Sequence, residues 1–81
     1  MSDLRLSDQV KGVIIRTFGL PPDEDASRLR MGAVPRWDSL GHMELIAELE
    51  RVFGVTFPAY ALSELQDVTS IARVIQDHTQ R

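Results

Sequence analysis

The sequence contains no cysteine among its 81 residues, which excludes disulfide bonds, cysteine-ligated zinc and a thiol nucleophile. Its two histidines, His42 and His78, lie far apart in the sequence and are a poor basis for a metal site. No apolar run approaches the roughly 18 residues that span a membrane, and the first residues show no signal-peptide pattern. We therefore expect a cytoplasmic chain with no metal and no membrane partner.

Net positive charge is also lacking, because nine basic and twelve acidic residues give a formal net charge of −3. This balance excludes the basic surface that nucleic-acid binding requires. Residues 38–81 hold the acidic excess, which indicates basic partners. A chain of this length buries only about 60–65% of its unfolded surface on folding, which leaves little room for an active-site cleft. We expect no enzyme activity.

A first helix is predicted over about residues 4–18, where apolar residues recur at helical spacing. Ser2 or Asp3 is expected to cap its start, and Gly19 with the prolines after it ends the helix. The stretch 19–37 is rich in proline, glycine and acidic residues. It predicts a long loop, with a few apolar side chains that attach it to the core.

Three further helices are predicted in the second half of the chain. The strongest signal runs from Asp38, a good N-cap, to Gly54, a good C-terminal residue, so that helix two spans 38–54. Pro58 favours the start of a short helix over about 58–62. A last helix is expected over 70–78, with Thr69 or Ser70 as its cap.

These elements predict an all-α fold, a small antiparallel bundle of three main helices plus one short helix, with the long first loop crossing it. The whole chain, residues 1–81, is expected to form one domain. The apolar stripes of the helices predict a core built mainly from Phe18, Leu45, Ile46, Leu49, Phe53, Val74 and Ile75. Trp37 is expected to anchor the loop in this core, and His42 to be partly buried against the loop.

The start of helix two carries the residues most suggestive of chemistry. Ser39 follows Asp38 and lies in the first helical turn, where free amides and the helix dipole favour an anion such as a phosphoester. The alternative is that Asp38 and Ser39 only cap the helix. The basic residues Arg28, Arg30 and Arg36 precede this turn. They are expected to be solvated and to form local ion pairs, with phosphate contact as the alternative.

Around this turn the chain resembles the acyl carrier protein family, which includes polyketide and peptidyl carriers. Asp38, Ser39 and Leu40 match the family's Asp-Ser-Leu motif, and the segments 44–46 and 53–55 match the family at later positions of the helix and at its end. Chain length, helix order and the central position of the serine agree as well. The resemblance implies 4'-phosphopantetheine on Ser39, installed from coenzyme A, with cargo held as a thioester on its terminal thiol.

The same resemblance implies the partners. They are a phosphopantetheinyl transferase, a cargo-loading ligase or acyltransferase, and downstream enzymes of fatty acid, polyketide or related biosynthesis. In the family, the aspartate before the serine helps to hold the metal of the transferase reaction, a role that Asp38 inherits alongside capping. The chain itself is expected to be a monomer.

The residues before the serine separate this chain from the common subtypes. Pro35, Arg36 and Trp37 stand where fatty-acid carriers usually have Gly-Ala, and the chain also lacks the Gly-Gly-His-Ser of peptidyl carriers. It looks more like free-standing carriers of specialised pathways. We expect an acyl carrier, with an aminoacyl or peptidyl carrier as one alternative and an unmodified helical interaction module as another.

Helix two has more apolar residues than one core stripe uses. At about 100° per residue, a second face collects apolar and acidic side chains beside the serine. We expect this face to dock the transferase and later enzymes, with charge guiding the encounter. The residues assigned to it are Leu40, Met43, Glu44, Ala47 and Glu48.

Overall fold

The computed structural model describes residues 2–79, and within that range it contains three α-helices, two 3₁₀ helices and no β-strand. The α-helices are α1 (Ser2–Phe18), α2 (Ser39–Phe53) and α3 (Val68–Thr79). The 3₁₀ helices span Ala26–Arg28 and Ala59–Glu64. The predicted all-α fold is confirmed. None of these helices has the length and apolar character needed to cross a membrane.

The α1 helix packs against both α2 and α3. Its C-terminal end lies beside the start of α2, where the guanidinium of Arg36 donates to the carbonyl of Phe18 at 3.4 Å. This contact joins a cation to the carbonyl end of a helix, where the macrodipole favours positive charge. The end of α1 and the start of α2 therefore share one edge of the bundle.

The helix boundaries agree largely with the predicted capping residues. Gly19 and Gly54 adopt left-handed backbone conformations, with φ of 65° and 66°, at the ends of α1 and α2. Asp38 caps α2, as predicted. The α1 helix begins at Ser2, ahead of the predicted start, so Ser2 and Asp3 lie within it. The capping bond expected from their side chains lies outside the described part of the chain.

The start of α3 corrects one prediction. The helix begins at Val68, and its cap is Asp67, whose carboxylate accepts from the amide of Ser70 at 2.8 Å. Thr69 and Ser70, the predicted caps, lie inside the first turn instead. Three capping residue types stand close together here, and the first of them starts the helix.

The core is continuous between the three α-helices and the loop. All predicted core residues except Phe53 are buried. Phe53 is the last residue of α2 and packs against the core only in part, while Val52 is 40% exposed, so the apolar stripe of α2 ends at Leu49. The buried side chains are Val10, Val13, Ile14, Phe18, Leu29, Val34, Trp37, Leu45, Ile46, Leu49, Phe57, Ala61, Leu65, Val68, Ile71, Ala72, Val74 and Ile75.

The loop between α1 and α2 is attached at several points. Leu29, Val34 and Trp37 are buried, in agreement with the predicted role of its apolar residues. The amide of Met31 donates to the carbonyl of Gln66 at 2.9 Å, just before α3. The loop therefore crosses the bundle and bonds to the segment that leads into the last helix.

Gly41 permits the closest approach between the loop and α2. It is buried in the first turn of the helix, and a β-carbon at this position would overlap the carbonyl oxygen of Arg36. The same β-carbon would lie 3.0 Å from the ring of Phe18. A side chain at position 41 would therefore push the start of α2 away from the loop and from α1.

We expect Gly41→Ala to destabilise the fold by about 1–3 kcal/mol, because the added methyl group overlaps rigid backbone. Gly12→Ala is the matched control. A β-carbon there meets only the flexible end of Arg16, at 3.6 Å, so alanine should stabilise α1 by about 0.5–1 kcal/mol. Urea denaturation measures both changes, and equal effects of the two substitutions would contradict the close approach.

Candidate functional site

The site centres on the first turn of α2. Asp38 has extended backbone geometry, and its carboxylate accepts from the amide of Gly41 at 2.9 Å. The carbonyl of Asp38 accepts from the amide of His42 at 2.7 Å, the first regular bond of the helix. Ser39 is the first helical residue and is exposed to solvent. Asp38 thus caps the helix as predicted, and it presents Ser39 at the surface.

The electrostatics of this turn suit an anion on the serine. The amides of Ser39 and Leu40 have no acceptor within the helix, as in the first turn of any α-helix. They add to the positive end of the dipole of α2, which spans Ser39–Phe53. An exposed hydroxyl at this point is accessible to a second protein, and a phosphoester formed on it would be stabilised.

Behind the turn, two side chains are hydrogen-bonded in the core. The indole Nε1–H of Trp37 donates to Nδ1 of His42 at 2.9 Å, and Nε2 of His42 lies 2.9 Å from the carbonyl oxygen of Leu62. Trp37 also stacks on Phe18, with ring centroids 5.6 Å apart. The predicted burial of Trp37 and His42 is confirmed, whereas the sequence did not predict their hydrogen bonds.

The chemistry of the three groups assigns the proton on His42. An indole N–H can only donate, so Nδ1 of His42 must accept. A carbonyl oxygen can only accept, so Nε2 of His42 carries the proton and donates to Leu62. The neutral Nε2–H tautomer therefore satisfies the indole, the imidazole and the carbonyl together. Sequence alone offered no signal for this, since Leu62 lies 20 positions from His42.

The predicted docking face is open to solvent. Leu40 and Met43 are 71% and 53% exposed. Ala47 and Glu44 are exposed as well, and Glu48 is half-buried. The structure therefore brings the five assigned residues to the surface of α2, next to Ser39.

The charges around this face are more mixed than predicted. Glu48 pairs with Arg51 at 2.6 Å, and this hydrogen bond lowers the pKa of Glu48 and raises that of Arg51. No ion pair of Glu44 is found among the described residues. A groove beside the face is lined by Arg16 and Arg36 as well as the two glutamates. Of the two glutamates, Glu44 is therefore the one more available to a basic partner.

The basic loop residues do not form the local ion pairs expected of them. Within residues 2–79 no salt bridge of Arg28, Arg30 or Arg36 is found. Arg36 instead donates to the carbonyl of Phe18 at the end of α1. Phosphate contact, the alternative for these residues, remains a hypothesis.

Comparison with known protein families matches residues 8–75 to the family described as "Phosphopantetheine attachment site". The match covers most of the chain, including all of α2 and the start of α3. No curated protein and no solved structure gives a significant match to the chain.

We expect Asp38→Ala to destabilise the protein by about 0.5–2 kcal/mol, because the amide of Gly41 loses its acceptor. Asp38→Asn retains a capping oxygen and should stay within a few tenths of a kcal/mol of the parent, an estimate based on the similar ranking of the two caps. Thermal and urea denaturation measure both. An asparagine variant as unstable as the alanine variant would contradict a capping role.

Proposed function

The chain belongs to the phosphopantetheine-attachment family, and on this premise we propose that Ser39 is its attachment residue. The observation that carries the proposal is the exposed serine in the first turn of α2, directly after the Asp38 cap. Members of this family bind 4'-phosphopantetheine covalently and act as carriers. Ser39 has both the solvent access and the anion-stabilising surroundings that a phosphoester needs.

In the proposed reaction, coenzyme A donates its phosphopantetheine group to the hydroxyl of Ser39. The hydroxyl oxygen of Ser39 forms a bond to the phosphorus next to pantetheine, and the pyrophosphate bond of coenzyme A breaks. Adenosine 3',5'-bisphosphate leaves, and the hydroxyl proton passes to a base of the transferase. In this chain, the amides of the first turn stabilise the new phosphoester, and the carboxylate of Asp38 is available to a metal held by the transferase.

The attached group supplies a thiol at the end of a long flexible arm, where an acyl cargo is held as a thioester. We propose that the chain carries such cargo and delivers it to biosynthetic enzymes, without performing chemistry of its own. Tethering raises the effective concentration of the cargo at each partner. The absence of cysteine supports this role, since no internal thiol competes with the arm. Mass analysis of the group on protein from its native host separates acyl from aminoacyl or peptidyl cargo.

We expect Ser39→Ala to fold normally and to gain no pantetheinyl mass when incubated with coenzyme A and a phosphopantetheinyl transferase. Intact-mass spectrometry measures this. Ser63→Ala, at an exposed serine of the second 3₁₀ helix, is the control and should be modified like the parent. The modified parent should titrate as one thiol. Modification of Ser39→Ala would overturn the assignment, and an unmodified parent would favour an interaction module.

The docking face of α2 is the second part of the proposal. We propose that the transferase and the enzymes that load and receive cargo bind Leu40, Met43 and Ala47, with acidic residues guiding the encounter. This face adjoins Ser39, so a bound enzyme would have the serine within reach. The availability of Glu44 and the pairing of Glu48 with Arg51 support unequal roles for the two acids.

We expect the double reversal Glu44→Lys and Glu48→Lys to slow modification by roughly tenfold at low salt, through loss of electrostatic steering. Added salt should also slow modification of the parent and should reduce the difference in rate between the parent and the double variant. Of the single variants, Glu44→Lys should account for most of the effect, because the Glu48 carboxylate is already engaged by Arg51. Initial rates measured across a salt series test these expectations.

The control changes the charge of the protein equally at another surface. Asp8 and Asp77 are exposed on α1 and α3, and the double variant Asp8→Lys and Asp77→Lys should be modified at nearly the parental rate. If the control slows modification as much as the α2 variant does, overall charge rather than the α2 face governs docking.

A further inference from the structure

We propose that His42 is a positioning residue for the modification of Ser39, acting through a clamp formed by Trp37, His42 and the carbonyl of Leu62. The proposal rests on the proposed function of Ser39 as the attachment residue. His42 lies on the buried side of α2, where a purely structural role would be the ordinary expectation.

The clamp encloses the reactive turn. Trp37 and His42 are five positions apart and are joined side chain to side chain at 2.9 Å, with Ser39 between them. Two hydrogen bonds therefore span the turn, the backbone bond from the His42 amide to Asp38 and the bond between the Trp37 and His42 side chains. The side-chain bond also fixes Trp37, the loop residue before the Asp38 cap, which the backbone bonds of the helix alone do not hold.

The clamp also extends away from the turn. Nε2 of His42 donates to the carbonyl of Leu62, in the second 3₁₀ helix (Ala59–Glu64). That helix has no side-chain capping bond at its start, and only Ala61 within it is buried. His42 thus joins the end of the long loop to this 3₁₀ helix, in addition to the packing of Ala61 and Leu62 against the core.

Burial makes the clamp rigid. Trp37 and His42 are shielded from water, so their hydrogen bond has no competing solvent partner. The indole stacks on Phe18, with ring planes 29° from parallel, and its plane lies 20° from that of the imidazole to which it donates. If His42 lost its nitrogen atoms, the indole N–H would be left buried without an acceptor, and the loop would shift to reach water.

A shift of the loop would reach Ser39 directly, because Trp37 is followed by the Asp38 cap and then by the serine. Misplacing a reacting group by about 1 Å can cost on the order of 100-fold in rate. Of the five docking residues, only Leu40 lies within the clamped turn, whereas Met43, Glu44, Ala47 and Glu48 lie later in α2. Loss of the clamp should therefore impair the reacting turn and leave most of the docking face unchanged.

The central test is His42→Phe, which keeps an aromatic ring against Trp37 and removes both nitrogen atoms. We expect the maximal rate of modification by a phosphopantetheinyl transferase to fall roughly 10- to 100-fold. The KM for the carrier should stay within about twofold of the parental value, because four of the five docking residues lie outside the clamp. His42→Gln, which has an acceptor oxygen and a donor NH₂ group, should restore most of the maximal rate.

A direct readout monitors the hydrogen bond itself. Trp37 is the single tryptophan, so the chain gives one indole N–H signal in a nitrogen-15 spectrum. In the parent this proton should be protected from exchange, and the imidazole should show the Nε2–H tautomer. The protection should disappear in His42→Phe and return in His42→Gln.

Partial unfolding would produce a different pattern, since it lowers the concentration of folded carrier and raises the apparent KM without changing the maximal rate. A parental maximal rate in His42→Phe, or a change in KM alone, overturns the proposal. If His42→Phe does not fold, Trp37→Phe removes the donor together with part of the indole ring and should lower the maximal rate in the same way. A parental maximal rate in that variant also overturns the proposal.

The parent protein distinguishes the two hypotheses. If the parent is modified at a residue other than Ser39, or not at all, the attachment assignment fails. The indole spectrum of the unmodified protein still shows whether the clamp exists. If the parent is modified at Ser39 and the protection of the indole proton is absent, the clamp alone fails.

Discussion

Burial of a single indole holds together the end of this small bundle that carries the candidate site. Trp37 ends the long loop, stacks on Phe18 at the end of α1 and bonds to His42 in α2. Three segments of the chain therefore meet at one side chain, which is 2% exposed. A domain of this size has little core to spare, so one large aromatic residue contributes a substantial share of the packing around the site.

The mixed charges beside α2 change how a partner would recognise the surface. The sequence indicated a face bordered by two glutamates, but Glu48 is engaged by Arg51, and Arg16 and Arg36 line the neighbouring groove. Such a face has both signs of charge within a short distance. A partner would therefore need a matching pattern rather than a uniformly basic patch, which favours specificity over strong attraction.

The sequence predicted features set by local chemistry better than those set by distant contacts. The bounds of α2 could be predicted from Asp38 and Gly54, because caps act within a few residues. The prediction of the α3 cap was wrong because Asp67 stands two and three positions before two other residues that can cap a helix, Thr69 and Ser70. The prediction that Phe53 belongs to the buried core was wrong because apolar periodicity does not show where the buried stripe of a helix ends.

At the site itself, the same distinction holds. Ser39 and its cap could be found from the motif and its place before a helix. The bonds of His42 could not, since they depend on how the loop and Leu62 fold around α2. The need for glycine at position 41 was hidden as well, because it comes from the carbonyl of Arg36 in the packed fold.

The crossing loop also bears on the order of folding. Arg30 pairs with Asp67 through a backbone bridge, which joins positions from opposite halves of the chain. Contacts of such wide sequence separation form late, because closing a long loop costs entropy before it gains contacts. The loop between α1 and α2 can therefore be fully attached only once the segment around Asp67 has been made. A nascent chain would then acquire its fully attached loop only when its second half is present, so that, under the proposed attachment at Ser39, modification would follow completed folding.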